Sequence, residues 1–140
     1  MSGDFLDSNV IVYRFDSRDV RKQALAVELL RSSLAASDAT ISFQVVQEVL
    51  NAVTRRLTPP FSGEEARQLL SSVLVPLWRV MPTTPLYDRA LDLQARYRYS
   101  FYDSLIIAAA LDAGCSRLLS EDLQAGQTID GLRIEDPFGR

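Results

Sequence analysis

Short apolar runs alternate with longer amphipathic ones along this chain, and the alternation sets its architecture. Asp4-Phe5-Leu6-Asp7 reads as a short strand that ends on an acid. Ser8-Asn9 then offers a cap for a helical turn through Val10, Val12 and Tyr13. Asp16 or Ser17 is the expected cap of the next helix, whose apolar positions Val20, Ala24, Val27, Leu30 and Leu34 keep helical spacing to Ala36-Ser37. Ala39-Thr40-Ile41-Ser42 is a second strand. Ser42 caps a helix carrying Val45, Val46, Val49, Leu50, Val53 and Leu57 on one face, broken at Pro59-Pro60.

Ser62 and Glu65 form a capping box for a helix through Ala66, Leu69, Leu70 and Val73. Leu77-Trp78-Arg79-Val80-Met81 follows as a strand. Thr84-Pro85 opens another helix, with proline where its missing N–H costs nothing and a stripe of Leu86, Ala90, Leu93 and Tyr97. Phe101 to Ala113 is apolar nearly all round, which predicts a buried helix, and Gly114 stops it. Arg117-Leu118-Leu119-Ser120 is a fourth strand, and Asp130-Gly131 a turn into a short strand at Leu132-Arg133-Ile134. Strands separated by helices pair largely in parallel through crossovers. The expected fold is therefore α/β: a three-layer sandwich with a short, mainly parallel central sheet flanked by helices, forming one domain over residues 1–140.

Composition narrows the chemistry. The 140 residues contain no histidine and one cysteine, which excludes a histidine-dependent nucleophile, a histidine acid–base pair and a histidine zinc site. Cys115 alone cannot form an internal disulfide and reads as a buried thiol. No apolar run approaches the about 20 residues that span a bilayer, and Asp4 and Asp7 interrupt any signal-like pattern, so a cytoplasmic protein with no membrane contact is expected. A net charge of −3 argues against a general basic surface for nucleic acid. Contacts to phosphate must be local. Lys22 is the only lysine, and the arginines at Arg55-Arg56 and at Arg96 and Arg98 suit bidentate phosphate recognition, though each cluster is equally a solvated helix end.

Four acids stand at the seams of this pattern. Asp7 and Asp122 fall past the ends of strands, where an open parallel sheet binds ligands. Asp103 lies in the first turn of the apolar helix, and Glu48 borders the apolar face of its own. Each has an ordinary explanation: an Asx turn for Asp7, a helix-start acid for Asp103, a solvated helix face for Glu48, a turn cap for Asp122. Their joint placement at one sheet edge favours oxygen ligands for a hard cation, Mg²⁺ or Mn²⁺. Acids converging there repel one another without a metal, so at least one carboxyl should titrate above its usual range. Of the adjacent pair, Asp122 is expected to face the pocket and Glu121 to face solvent.

The segments Phe5-Leu6-Asp7-Ser8-Asn9-Val10, Ser42-Phe43-Gln44-Val45-Val46-Gln47-Glu48, Phe101-Tyr102-Asp103-Ser104-Leu105 and Leu119-Ser120-Glu121-Asp122 together resemble the PIN-domain ribonucleases, and within them the VapC-type toxins of bacterial toxin–antitoxin pairs. The resemblance runs through the closing Gly131 to Phe138. It implies that Asp7, Glu48, Asp103 and Asp122 are catalytic, with Asp7 and Asp103 the principal metal-holding acids and Ser120 a supporting hydroxyl. Serine at position 8 replaces a frequent threonine. The resemblance further implies RNA as substrate, a cognate antitoxin as partner and a homodimer. Two other classes stay open. A phosphoryl-transfer domain with Asp7 as nucleophile would need a supporting lysine and, in one class, a second aspartate at position 9, which is Asn9. A non-catalytic binding module would use the acids to dock a partner's arginine.

Overall fold

The computed structural model describes residues 3–139, and its six-stranded sheet is mostly parallel. In chain order the strands are β1 (Asp4–Leu6), β2 (Ala39–Ser42), β3 (Trp78–Val80), β4 (Arg117–Leu119), β5 (Thr128–Ile129) and β6 (Leu132–Glu135). The helices are α1 (Ser8–Val12), continued by a 3₁₀ turn over Tyr13–Phe15, then α2 (Val20–Ala36), α3 (Phe43–Arg55), α4 (Gly63–Leu69), α5 (Val75–Leu77), α6 (Thr84–Tyr97) and α7 (Phe101–Asp112). Spatial order is β3-β2-β1-β4-β6-β5. From β1 the chain builds outward to β2 and β3, then returns to place β4 on the other side. That reversal opens a crevice at the carboxyl ends of β1 and β4.

The central strands are apolar because both of their faces are covered. Phe5, Leu6, Ile41 and Leu118 are fully buried. β1 pairs in parallel with β2 (Phe5 opposite Thr40) and with β4 (Leu6 opposite Leu119). Helix α7 behaves as its composition demands: every residue from Ser104 to Ala110 is buried, and it packs along α6. Its start is fixed by Ser100, whose hydroxyl accepts from the Asp103 amide at 3.1 Å. Ser42 and Ser62 cap α3 and α4 as their sequences predict, the second in a full capping box.

Several local expectations fail for identifiable reasons. Asp19, not Asp16 or Ser17, caps α2 by accepting from the Lys22 amide at 3.0 Å. Asp16 instead binds its own neighbour Arg18. The buried line of α2 is Ala26, Leu30 and Ser33, while Val20 and Ala24 are exposed and Val27 sits at the surface. Apolar residues fall all around this helix, so spacing alone selects no face. The third strand is shorter than its apolar run, because Leu77 ends a helical stretch that passes through a π turn at Leu70–Leu74. Strand β5 was not legible at two residues. It joins β6 in an antiparallel hairpin whose turn, Asp130-Gly131, has φ of 50° and 88°, as a tight primed turn requires. No helix among the described residues is long and apolar enough to cross a membrane.

Candidate active site

Strand β1 delivers Asp7 to the crevice by ending one residue before it. The Asp7 amide is held by the Leu119 carbonyl at 3.0 Å, which locks the strand end against β4. The side chain is buried, with 6% of its surface exposed. Its Oδ1 accepts from the Ser8 amide at 2.8 Å and its Oδ2 from the Ser120 hydroxyl at 2.7 Å. Burial nevertheless dominates, and the carboxyl is pushed up to about 6. The two hydrogen bonds lower it, and the nearby charges of Glu48 and Asp122 raise it further. One acid therefore does titrate above its usual range, although desolvation, rather than repulsion, is the first cause.

Ser120 is a junction. Fully buried, it donates to Asp7 and its oxygen accepts from the Asp122 amide at 3.1 Å, so the loop after β4 is fastened to the end of β1. Asn9, at the start of α1, completes the lacing: its amide nitrogen donates to Asp122 at 3.0 Å and its oxygen accepts from the Glu121 amide at 3.2 Å. The sequence pattern had singled out Asn9 only as a helix cap and as a departure from a phosphoryl-transfer motif.

Glu48 and Asp103 reach the crevice from helices. Both line one pocket of about 250 Å³ with Asp7, Asp122, Ser8, Gln44, Asn51, Arg56 and Ile106. All four acids singled out from sequence thus border one cavity. Gln44, which sequence reasoning passed over, ties the two helical acids together. It is buried, and its amide nitrogen donates both to Glu48 Oε2 and to the Tyr102 carbonyl, each at 3.1 Å. Tyr102 immediately precedes Asp103, so one side chain fixes Glu48 against the first turn of α7. Among the described residues Gln44 Oε1 and the Ser104 hydroxyl have no hydrogen-bond partner although both are buried, an unpaired state that folding alone does not favour. The signal for Gln44 in the sequence is its spacing: it sits four residues before Glu48, on the same helical face.

Glu121 does not face solvent as expected. It turns back to receive Lys22 in an ion pair and the Tyr13 hydroxyl at 2.6 Å, leaving Asp122 to line the pocket. Past the end of β4, Ser120 points in to Asp7, Glu121 turns away and Asp122 points in again, the alternation of a strand carried past its end. Apart from the Arg56 guanidinium, the polar side chains around the pocket are carboxylates, a hydroxyl and carboxamides, whose oxygens are the ligands a hard divalent cation takes. Among the described residues no three acids form a ready coordinating cluster.

Residues 5–128 match the PIN domain family. No curated protein sequence is a significant match. Solved structures share the fold. The DNA-bound VapBC of Salmonella typhimurium superposes with a TM-score of 0.68 at 19% identity, over 98% of this chain and 99% of that one. A toxin–antitoxin complex from Klebsiella pneumoniae gives 0.64 at 15% identity, over 93% and 95%. VapC20 of Mycobacterium tuberculosis, described as a Sarcin-Ricin loop cleaving toxin, gives 0.60 at 21% identity, over 86% and 92%. At such identities the likeness is one of fold, whereas the family match spans most of the sequence: the chain belongs to the PIN domain family.

Proposed function

We propose that the protein is a divalent-metal-dependent endoribonuclease of the VapC type, the toxin of a toxin–antitoxin pair. The observation that carries this reading is the meeting of Asp7, Glu48, Asp103 and Asp122 in one pocket at the switch point of a PIN sheet. The toxin–antitoxin assemblies among the structural neighbours support the biological role and an antitoxin partner, whose inhibitory segment would cross the same pocket.

Asp7 and Asp103 would hold Mg²⁺ or Mn²⁺, with Glu48 and Asp122 completing the negative field. When bound, the cation supplies Lewis acidity and an activated water for in-line attack. Asp7 sits where its charge is poorly solvated, so it gains most from a cation. Gln44 keeps Glu48 from swinging away, and Ser120 holds the Asp7 carboxylate in one orientation. Arg56, at the pocket's edge, offers a guanidinium to the phosphate. Attack by water breaks the P–O3′ bond and leaves a 5′-phosphate and a 3′-hydroxyl, the proton passing to the departing 3′ oxygen.

The phosphoryl-transfer reading lacks support in the geometry, and a cleavage assay separates catalysis from a non-catalytic binding module. Lys22 is engaged with Glu121 and Tyr13, and no lysine stands beside Asp7 to serve a phosphoryl-transfer site. Cleavage of RNA in Mg²⁺ and Mn²⁺, its loss with chelator, poor replacement by Zn²⁺ and a 5′-phosphate on the product are the expected results. Asp103→Asn should abolish cleavage. A variant that still cleaves at the wild-type rate, or wild-type cleavage that survives thorough chelation, sinks the assignment.

A further inference from the structure

The acid pocket does not stop at Asp122. A second chamber of about 260 Å³ adjoins it, sharing Ser8, Arg56 and Asp122 with the first. Its walls have a different chemistry. Val12, with the buried Ala52 and Leu57 beside it, provides an apolar patch in a mainly polar lining that includes Asn9 and Tyr13. Apart from Asp122, whose carboxylate takes the Asn9 amide, its other acids are already matched: Asp16 is held by Arg18 at 2.8 Å, and Glu121 by Lys22. Arg56 stands apart. It caps the carboxyl end of α3, its amide donating to the Ala52 carbonyl at 2.8 Å, but its exposed guanidinium makes no hydrogen bond or ion pair with any described residue, even though carboxylates line both cavities it borders.

A pocket of four acids repels a polyanion, and the net charge of −3 gives no general attraction to offset this. Binding a nucleic acid therefore needs a cation placed beside the acids, and a free guanidinium at the join of two cavities is suited to a phosphate. The chamber is slightly smaller than the about 300–1,000 Å³ typical of drug-sized ligands, as suits a single nucleoside, and a mainly polar lining with an apolar patch at Val12 offers both hydrogen-bonding groups for a ribose and base edges and a contact for a base face.

We propose that this chamber is a nucleotide subsite: it receives the base and ribose adjoining the cleaved bond, while Arg56 grips the phosphate at the join. The proposal rests on the acid pocket being the hydrolytic centre. Arg56 is a positioning residue in it, acting on substrate placement rather than on the attacking water.

The test compares wild type, Arg56→Gln, Arg56→Lys and, as a surface control, Arg67→Gln on a short single-stranded oligoribonucleotide. Cleavage in Mn²⁺ should show KM for Arg56→Gln raised about tenfold with kcat within about threefold of wild type, a loss of binding common to ground and transition states. In the uncleaving Asp103→Asn background, Arg56→Gln should weaken binding of the same RNA about tenfold and flatten its salt dependence by about 0.7, the share of one single-strand phosphate. Arg56→Lys should recover part of the affinity, and Arg67→Gln should match wild type. Equal affinity and salt dependence for Arg56→Gln and wild type would overturn the subsite, as would a fall in kcat with KM unmoved. If the wild type cleaves no RNA, the hydrolytic reading fails by itself, and the binding arm still decides whether Arg56 holds an RNA phosphate.

Discussion

Asp4 and Asp7 bracket the same three-residue strand and meet opposite fates. Asp4, at the amino end of β1, is taken bidentately by Arg117 at 2.8 and 2.7 Å, and Arg117 also reaches Glu135 at 3.0 Å. Asp7, at the carboxyl end, is more deeply buried, yet its partners are a backbone amide and a hydroxyl, with no arginine or lysine bonded to it. One end of the sheet is closed by paired charge, and the other is left electrostatically unfinished. A fold that needed only stability would neutralise or replace Asp7, since a buried carboxylate without a counter-charge is costly. The difference marks the carboxyl end as the place where function is held against stability.

Neutralising Asp7 should break the contrast most completely. Asp7→Asn is expected to lower cleavage by on the order of 10³-fold, because the cation loses its most poorly solvated ligand. It should also stabilise the metal-free protein. A carboxyl raised from 3.8 to about 6 binds its proton more tightly folded than unfolded, so wild-type stability falls as pH rises through that window and stays reduced above it. The penalty is on the order of 3 kcal/mol at pH 8. Asparagine keeps the size, can accept from the Ser8 amide and can donate to a rotated Ser120 hydroxyl. Urea unfolding in chelator at pH 4, 6 and 8 should show the two proteins equal at the lowest pH and the variant ahead at the highest. A variant no more stable at pH 8 would mean that Asp7 is not strained. Added Mg²⁺ should close the gap by stabilising wild type alone.

Gln44 gives the next largest effect, and it sharpens the comparison by separating a ligand's presence from its placement. Gln44→Leu keeps the volume roughly and removes the buried unpartnered oxygen, but frees Glu48 and leaves the Tyr102 carbonyl without its donor. Cleavage should fall about tenfold, as when support for a metal ligand is lost, and the Mg²⁺ concentration for half activity should rise. A structural role alone would lower the melting temperature without moving the metal requirement.

How much of this was written in the sequence depends on the range of each interaction. The central strands β1, β2 and β4 and helix α7 were legible because burial on both faces leaves an apolar run that nothing else explains, and the four acids were legible because each stands at the edge of such a run or of an apolar helix face. The burial face of α2 was not, since apolar residues surround it and its packing is decided by distant elements. The Lys22–Glu121 pair spans 99 positions, and the Ser120–Asp7 bond 113; neither leaves a local trace. Gln44 lay within reach of a local argument, four residues from Glu48, but its contact with Tyr102 only becomes visible once α3 and α7 are side by side.

The smallest effect is expected at Glu121, and it tests the claim that the two adjacent acids belong to different jobs. Asp122 lines the pocket and is oriented by Asn9, so Asp122→Asn should cost about tenfold in cleavage. Glu121 is turned from the acid pocket into the wall of the adjoining chamber, where it receives Lys22 and the Tyr13 hydroxyl and pushes the Tyr13 phenol above its usual range. Glu121→Gln keeps the backbone bond from its own amide to Asn9 and one oxygen to accept from Lys22 or Tyr13, and removes a partly exposed ion pair. Such pairs contribute little to stability and are screened by salt. Cleavage should stay within about threefold of wild type, and the small stability loss should shrink in about 0.5 M salt, where the Debye length falls to a few ångströms. The informative measurement is therefore the ranking of the two variants in one assay, at low and high salt. If Glu121→Gln loses more activity than Asp122→Asn, the loop after β4 presents Glu121, and not Asp122, to the substrate.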